Sequence, residues 1–194
     1  MKYSFIRIFS QTTGCKIIID GISNGIKYSS MYNRNRVEIP ANRLKHLSNL
    51  SAYNILTILR KQVVDTISEF YEEPNPVWNE FTLLSNLYGG DYHALHADNE
   101  KIDINGKWIR NHTPHRIYSA ILYLNTSGND FHGGHINFLE IRQEIVPKEG
   151  LLIGFPSNHN FLHETTPVTQ SNRFSISLWM TSNKEHIEKW KDLL

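Results

Sequence analysis

Three residues in the second half of the chain have types and spacing that could hold a metal ion. His96 and Asp98 follow an apolar, strand-like stretch, and His163 opens a second polar run. On a strand, residues i and i+2 point to the same face, so the side chains of the first two can reach one ion. Two histidines and one carboxylate form the facial triad that binds iron(II) and leaves coordination positions open. Those positions would serve a bidentate co-substrate and dioxygen.

Other histidines compete for the same role, because the chain contains ten of them. His186 and Glu188 have the spacing of the first pair, but we expect them on a terminal helix, where residues i and i+2 do not face one another. This pair is therefore discarded. His159 lies four residues before His163 and is an alternative distal ligand. Only His163 lies ten residues before Arg173, and we favour it for that reason.

Arg173 begins a strand-like run whose alternation places Arg173, Ser175 and Trp179 on one face. A planar guanidinium can make two parallel hydrogen bonds to a carboxylate, and Ser175 can add a hydroxyl donor beside it. An arginine considered alone is more often part of a surface ion pair. Beside the three candidate ligands, however, Arg173 predicts a site for the far carboxylate of a dicarboxylate co-substrate.

The elements that must position these residues follow from the hydrophobic pattern. Apolar residues at three- and four-residue steps predict an amphipathic helix over about 51–73, which Pro74 and Pro76 end. The rest of the chain is β-rich, with predicted strands at 81–87, 118–124, 135–139, 151–155 and 174–180. A strand is also predicted at 15–19, and a short terminal helix at 184–194. The expected class is α+β, mainly β, a sandwich or barrel supported by an outer helix.

The chain is expected to form a single domain of residues 1–194, with N-terminal strands and the supporting helix in 1–76 and a β core in 77–183. The net charge of +1 indicates neither a nucleic-acid nor a membrane partner. The one cysteine, Cys15, cannot form an internal disulfide, which favours a reducing compartment. No signal peptide or apolar run long enough for a membrane span is recognisable. We therefore expect a cytoplasmic protein, of unknown oligomeric state.

The order of motifs from 88 to 179 resembles the 2-oxoglutarate oxygenases of the prolyl hydroxylase type. The run 115–125 and the glycine pair that follows are most similar to the prolyl 3-hydroxylase (leprecan) branch. The resemblance is carried by Tyr88-Gly89-Gly90, His96-Ala97-Asp98, the run 116–125, Gly133-Gly134, the run 147–150, His163 and Arg173.

This resemblance implies a double-stranded β-helix, a jelly-roll of two facing sheets with iron at its open end. It implies Fe(II), 2-oxoglutarate and O2 as cofactors, with ascorbate as a reductant that supports activity. The expected reaction is hydroxylation of an unactivated C–H bond, most often in a prolyl residue of a peptide or protein. Asp98 favours hydroxylation over halogenation, because a halogenase keeps that coordination position for halide.

The resemblance also implies roles for three aromatic residues. Tyr123 would donate a hydrogen bond to the carboxylate that Arg173 holds, Tyr88 would lie near the co-substrate or substrate, and Trp179 would line the pocket near the metal. The sequence departs from the family pattern at Ser171, where a turn-forming glycine is common.

Substrate contacts are less defined. The polar loop 99–114 has Trp108 in its middle, and long loops within compact domains are often lids. It either closes over the substrate or is a solvated insertion. His93 either touches the substrate or is a satisfied surface group.

Three alternatives to a peptidyl hydroxylase remain open at this stage. One is a hydroxylase of a free amino acid or small peptide natural product. Another is a cupin that uses a different metal without 2-oxoglutarate. The third is a non-catalytic β-helix binding module, which would have no need for the triad and Arg173 together.

Overall fold

The computed structural model describes residues 4–7, 12–23, 36–44 and 50–189. Single 3-10 turns occur at Ala41–Arg43, His159–Phe161 and Lys184–His186. The helices and strands are, in chain order, β1 (Ser4–Arg7), α1 (Thr12–Ser23), β2 (Arg36–Pro40), α2 (Leu50–Phe70), β3 (Trp78–Tyr88), β4 (His93–His96), β5 (Glu100–Ile102), β6 (Trp108–Arg110), β7 (Arg116–Tyr123), β8 (His132–Gly133), β9 (Ile136–Phe138), β10 (Gln143–Ile145), β11 (Leu151–Pro156), β12 (His163–Thr165), β13 (Val168–Gln170) and β14 (Asn172–Thr181).

Two antiparallel sheets face each other and confirm the predicted jelly-roll. The larger sheet has the strand order β1-β11-β7-β14-β3-β2, and the smaller has the order β10-β9-β12-β4. Apolar side chains from both sheets meet in one buried cluster, which includes Ile153 and Phe155 from the larger sheet and Ile136 and Phe138 from the smaller. The strand predictions in the β-rich half are confirmed, because each predicted run overlaps one observed strand.

The predicted amphipathic helix is confirmed as α2. Its buried residues, such as Leu56, Val63 and Ile67, recur at helical spacing and pack with Leu84 and Ile176 of the larger sheet. The helix therefore covers the outer face of that sheet and leaves the inner face for the site. No helix within the described residues is long and apolar enough to cross a membrane.

The predicted strand at 15–19 is wrong, because these residues belong to α1. Cys15, Ile18 and Ile22 are buried at three- and four-residue spacing, which is a helical period. The run of isoleucines has high strand propensity, but packing against α2 and the larger sheet overrides this weak local preference. The supporting layer thus contains α1 beside α2.

The predicted terminal helix is also wrong over the described part of 184–194, where only the turn Lys184–His186 forms. Residues 190–194 lie outside the described residues. Glu188 instead reaches the buried Arg60, at 2.6 Å from its Nη2 atom, and accepts a hydrogen bond from Thr82. The His186–Glu188 pair is rightly excluded as a ligand pair, but because Glu188 is ion-paired and not because of helical geometry.

The loop 99–114 contains a hairpin that its polar sequence did not predict. Strands β5 and β6 pair in it, and the side chain of Asp103 accepts hydrogen bonds from the backbone N–H groups of Asn105 and Lys107. A side-chain acceptor of this kind stabilises a turn. The segment is therefore an ordered β-hairpin beside the end of β4.

The turn before β14 holds Ser171 in the left-handed region, with a φ angle of 62°. A side chain is unfavourable in this conformation, whereas glycine adopts it without steric cost. We expect Ser171→Gly to raise the free energy of unfolding by about 0.5–1 kcal/mol, measured by urea denaturation. Ser177→Gly, within β14, should lower it instead. A less stable Ser171→Gly variant would contradict this explanation of the departure from the family pattern.

Candidate metal centre and co-substrate pocket

The three predicted metal ligands meet at one end of the smaller sheet. His96 is the last residue of β4, and it lies directly opposite His163, the first residue of β12, in the antiparallel pair. Asp98 follows β4 and is buried, as is His163. The strand pairing therefore brings together residues that are far apart in the sequence.

The distances between these side chains fit a single metal ion. His96 Nε2 lies 3.7 Å from Asp98 Oδ1, and His163 Nε2 lies 3.9 Å from Asp98 Oδ2. One ligand atom from each residue lies within 4.8 Å of the others. Ligand atoms about 2.1 Å from a shared ion are at most about 4.2 Å apart, so small movements would close the site around it.

Hydrogen bonds orient both imidazoles towards the ion. Nδ1 of His96 lies 2.7 Å from the carbonyl oxygen of Ala94, and Nδ1 of His163 lies 2.9 Å from that of Phe161. A carbonyl oxygen only accepts, so each Nδ1 carries the proton and each Nε2 keeps its lone pair for a metal. Burial, more than any other influence, lowers the pKa of His163 to about 4, and the ring is neutral at pH 7.

Hydrogen bonds that involve two serines hold the Asp98 carboxylate in place. Ser119 donates a hydrogen bond of 2.6 Å to Oδ2, and its hydroxyl lies 2.8 Å from that of Ser157. The carbonyl oxygen of Ser157 also accepts the backbone N–H of Asp98. Burial would raise the pKa of Asp98, but the two histidines and the hydrogen bonds from Ser119 and Trp179 hold it below the ordinary value. The carboxylate is therefore charged and oriented at neutral pH.

Removing the Ser119 hydroxyl should weaken metal binding, because Asp98 would lose its fixed orientation. We expect Ser119→Ala to raise the dissociation constant of Mn(II), measured by calorimetry on the metal-free protein, about 10-fold. Ser85→Ala is a matched control, because Ser85 is a buried serine on the larger sheet with no described contact to Asp98. Equal affinities of the two variants would show that Ser119 does not support the ligand.

A buried cationic pocket lies beside the triad. Arg173, which is 3% exposed, donates one hydrogen bond from Nε to the carbonyl oxygen of Gly134 and one from Nη1 to Ser175 Oγ, both of 3.0 Å. Its guanidinium carbon lies 5.1 Å from the centre of the Tyr123 ring. Ser175 and Tyr123 lie opposite each other on β14 and β7, so neighbouring strands form one wall of the pocket.

The pocket lacks a counter-ion of its own. No carboxylate among the described residues forms an ion pair with Arg173, although burial of an unpaired charge is costly. Burial lowers the pKa of Arg173, yet a guanidinium stays protonated in proteins. The buried hydroxyl of Tyr123 has no hydrogen-bond partner of normal geometry in the described part of the chain. Burial raises the pKa of Tyr123, so this hydroxyl can donate. A carboxylate ligand would satisfy both residues.

The sequence model of the 2OG-Fe(II) oxygenase superfamily matches residues 83–181, which is half of the chain. These residues include the triad, Tyr123 and Arg173. The chain belongs to this superfamily. The two halves of the site described above fit the iron(II) and the 2-oxoglutarate that give the superfamily its name.

Relatives and solved structures agree with this assignment. The oxygenase is 35% identical to human prolyl 3-hydroxylase 1 in an alignment of 107 residues that covers 51% of this chain and 14% of the relative. It therefore spans a small part of the curated relatives that it matches. The structure of a viral collagen prolyl hydroxylase from Paramecium bursaria Chlorella virus-1 aligns with a TM-score of 0.70 and 18% identity, over 95% of this chain and 97% of that one.

A prolyl hydroxylase from Trichoplax adhaerens, solved with a peptide fragment of the hypoxia inducible factor oxygen degradation domain, has the same fold. It aligns with a TM-score of 0.70 and 17% identity, over 95% of this chain and 85% of that one. At these identities the two structures show the fold alone.

Different residues of the oxygenase would hold the iron and the 2-oxoglutarate. His96, Asp98 and His163 would hold the iron, while Arg173 and Tyr123 would hold the far carboxylate of 2-oxoglutarate. When bound, iron and 2-oxoglutarate would supply oxidative chemistry that hydroxylates a C–H bond at the expense of dioxygen, with succinate and carbon dioxide as the co-products. The protein orients the carboxylate, keeps the His163 imidazole neutral and excludes water from the buried cation.

Two of the aromatic residues implied by the family resemblance occupy different surroundings. Trp179 lies close to the metal site, because it is opposite Ser119, the serine that donates to Asp98, and its ring packs 4.2 Å from the guanidinium carbon of Arg116. Tyr88 lies opposite Asn172, and strand alternation places it on the face of β3 that contains Leu84, towards the helices. The structure therefore does not bring Tyr88 into the Arg173 pocket.

The two predicted substrate contacts, His93 and Trp108, also lie in different surroundings. His93 begins β4, and its ring centre lies 6.4 Å from that of His96, so it belongs to the site. Trp108 stacks on His159, with ring centres 5.0 Å apart and planes 11° apart. His159 is further engaged by Glu100, 2.6 Å from its Nδ1 atom. Because these contacts engage His159, and because His163 lies beside His96 and Asp98, His163 is the better candidate for the distal ligand.

Sequence reasoning missed three residues of the oxygenase site. Ser119 shares the inner face of β7 with Tyr123, so strand alternation could have identified it. Ser157 and Arg36 carry no such signal. Arg36 lies on β2, outside the matched residues 83–181, and its Nη1 atom comes within 3.1 Å of His93 Nε2 because β2 joins the larger sheet beside β3.

Proposed function

We propose that this oxygenase hydroxylates a prolyl residue in a peptide or protein. The observation that carries the proposal is the 35% identity with prolyl 3-hydroxylase 1 over half of the chain. The intact triad and the unpaired Arg173 support turnover and argue against a binding module, which would need neither. A metal enzyme without 2-oxoglutarate would have no use for a buried cation beside the metal.

The surface beside the metal site suits an extended polypeptide. The β5–β6 hairpin exposes Ile102 and Ile109, and Ile104 at its tip is fully exposed. Exposed apolar side chains next to a catalytic pocket offer contacts to residues that flank a reacting side chain. A free amino acid would be too small to use this surface and the pocket together.

The test uses short peptides that contain one proline, incubated with protein, Fe(II), 2-oxoglutarate and ascorbate, with mass spectrometry as the readout. The expected result is a gain of one oxygen atom on the prolyl residue and an equal amount of succinate. Matched peptides with alanine in place of proline, free proline, and the His163→Ala variant are the controls. Hydroxylation of free proline without any peptide product would favour the amino-acid alternative and contradict the proposal.

The hairpin also supports the hypothesis of a closing lid. If Trp108 packs against the bound peptide, Trp108→Ala should raise the KM for a peptide substrate about 10-fold while the affinity for 2-oxoglutarate stays unchanged. The control is Ile58→Ala, an exposed apolar residue on the distant α2. Unchanged peptide turnover by Trp108→Ala would eliminate the lid hypothesis and leave the hairpin as a solvated insertion.

A further inference from the structure

Arg36 forms an unusually complete set of contacts at the edge of the site. Its Nε and Nη2 atoms donate to the two carboxylate oxygens of Asp91, and Nη2 also donates to the carbonyl oxygen of Tyr92 at 2.8 Å. Its Nη1 atom lies 3.4 Å from Glu38 Oε1 and 3.1 Å from His93 Nε2. Every N–H of the guanidinium thus has an acceptor, and one of these acceptors is a histidine nitrogen.

This contact decides which nitrogen of His93 carries the proton. A guanidinium can only donate, so His93 Nε2 must accept and the proton resides on Nδ1. Because Nε2 of His93 accepts this hydrogen bond, it cannot also bind a metal ion. The Nε2 atoms of His96 and His163 accept no hydrogen bond from the described residues and keep their lone pairs for a metal. No hydrogen-bond partner of the Nδ1–H group occurs within the described residues. His93 therefore presents a donor that the protein itself does not use.

The position of that donor is defined by strand register. Arg36 lies opposite Leu87 on β3, and Leu87 lies opposite Arg173 on β14, so the two arginines share one face of the larger sheet. His93 contacts Arg36 on one side and has His96 as a ring neighbour on the other. Arg173 is also near enough for its charge to lower the pKa of His93, so this ring lies near both the cation and the metal site. A ligand that binds Arg173 and the metal could therefore reach this histidine.

We propose that His93 binds 2-oxoglutarate through its Nδ1–H group, and that Arg36 is the positioning residue that holds His93 in this tautomer. The inference rests on the 2-oxoglutarate dependence of the superfamily and not on the prolyl substrate. Burial, together with the charges of Arg36 and Arg173, lowers the pKa of His93 well below its ordinary value, so the ring is a neutral donor at pH 7. Through its hydrogen bond to His93, Arg36 on strand β2 would thereby contribute to the binding of the co-substrate.

Co-substrate affinity tests the contact without any peptide. Under anaerobic conditions the Fe(II)-loaded protein is titrated with 2-oxoglutarate, and chelation is followed by its charge-transfer absorption. His93→Leu is expected to raise the dissociation constant about 10-fold. His93→Gln should stay close to wild type, because an amide can accept from Arg36 and donate to the ligand. His132→Leu, at an exposed histidine, is the matched control.

The tautomer is tested directly by nitrogen NMR of histidine-labelled, Zn(II)-loaded protein, with the His93 signals assigned from the His93→Gln spectrum. Wild type should show protonated Nδ1 and unprotonated Nε2. Arg36→Met should lose this tautomer and bind 2-oxoglutarate as weakly as His93→Leu, whereas Lys61→Met on the surface of α2 should not. Because Arg36→Met leaves Asp91 unpaired, Arg36→Met/Asp91→Asn provides a second, charge-balanced variant.

The outcomes separate this inference from the proposed function. Wild-type affinity for 2-oxoglutarate in both His93→Leu and Arg36→Met, or a proton on Nε2 of His93 in wild type, would overturn the inference alone. Failure of every proline peptide to react would overturn the proposed substrate and leave the His93 contact intact. Absence of 2-oxoglutarate binding by wild type would overturn both.

Discussion

Alanine in place of His163 is expected to reduce 2-oxoglutarate-dependent succinate formation about 1000-fold or more. Two ligands would remain, and the facial arrangement that leaves open positions for co-substrate and dioxygen would be lost. The loss should appear in two measurements, succinate formation under saturating Fe(II) and calorimetric binding of Mn(II). Weak metal binding and lost turnover should occur together, because both depend on the same imidazole nitrogen.

His159→Ala is the matched control, since it removes a histidine four residues away on the same segment. His159 is held by Glu100 and Trp108 and does not face the triad, so its loss should leave Mn(II) affinity within about twofold. If His159→Ala abolished metal binding and His163→Ala did not, the ligand assignment would be reversed. The thermal midpoints of both variants show whether either one is simply unfolded.

Arg173→Ala is expected to raise the dissociation constant of 2-oxoglutarate about 100-fold, because removing one partner of a buried ion pair costs about 2–5 kcal/mol. Tyr123→Phe should raise it about 10-fold, through the loss of one hydrogen bond to the same carboxylate. Both values follow from anaerobic titration of the Fe(II)-loaded variants. Metal affinity without 2-oxoglutarate should be unaffected, since neither side chain is a metal ligand.

A lysine at position 173 would distinguish charge from geometry. Arg173→Lys keeps the positive charge but loses the planar fork, so we expect an affinity between those of the wild type and Arg173→Ala. Arg142→Ala removes an exposed arginine and should have no effect. Normal 2-oxoglutarate affinity in Arg173→Ala would mean that the buried cation serves another ligand, and the pocket would need a new assignment.

Local patterns in the sequence were sufficient for the features that depend on spacing along one strand or helix. The His96–Asp98 pair follows from the two-residue period of a strand, and the face shared by Arg173 and Ser175 follows from the same period. The helix α2 follows from its three- and four-residue apolar steps. Such features need no knowledge of which strands become neighbours.

The errors have a common cause in packing. The isoleucines of α1 have strand propensity, but three of the buried side chains align only in a helix against α2. At the other end of the described residues, the contact between Glu188 and Arg60 replaces an expected helix with an extended segment. Local propensities span about 1 kcal/mol per residue, and buried contacts readily exceed them. The hairpin in 99–114 was not predicted, because its two strands are only three residues long and lie within a run of polar turn residues.

The sequence by itself thus predicted the candidate metal ligands and the candidate cation for the co-substrate, and it determined the jelly-roll class, because each follows from short-range spacing or from the order of motifs. Only the tertiary structure decided which additional groups surround them. Ser119 and Ser157 meet at Asp98, and Arg36 meets His93, across strands that are distant in the chain. These contacts depend on strand register, which is set by the packing of two whole sheets and cannot be deduced from any single segment.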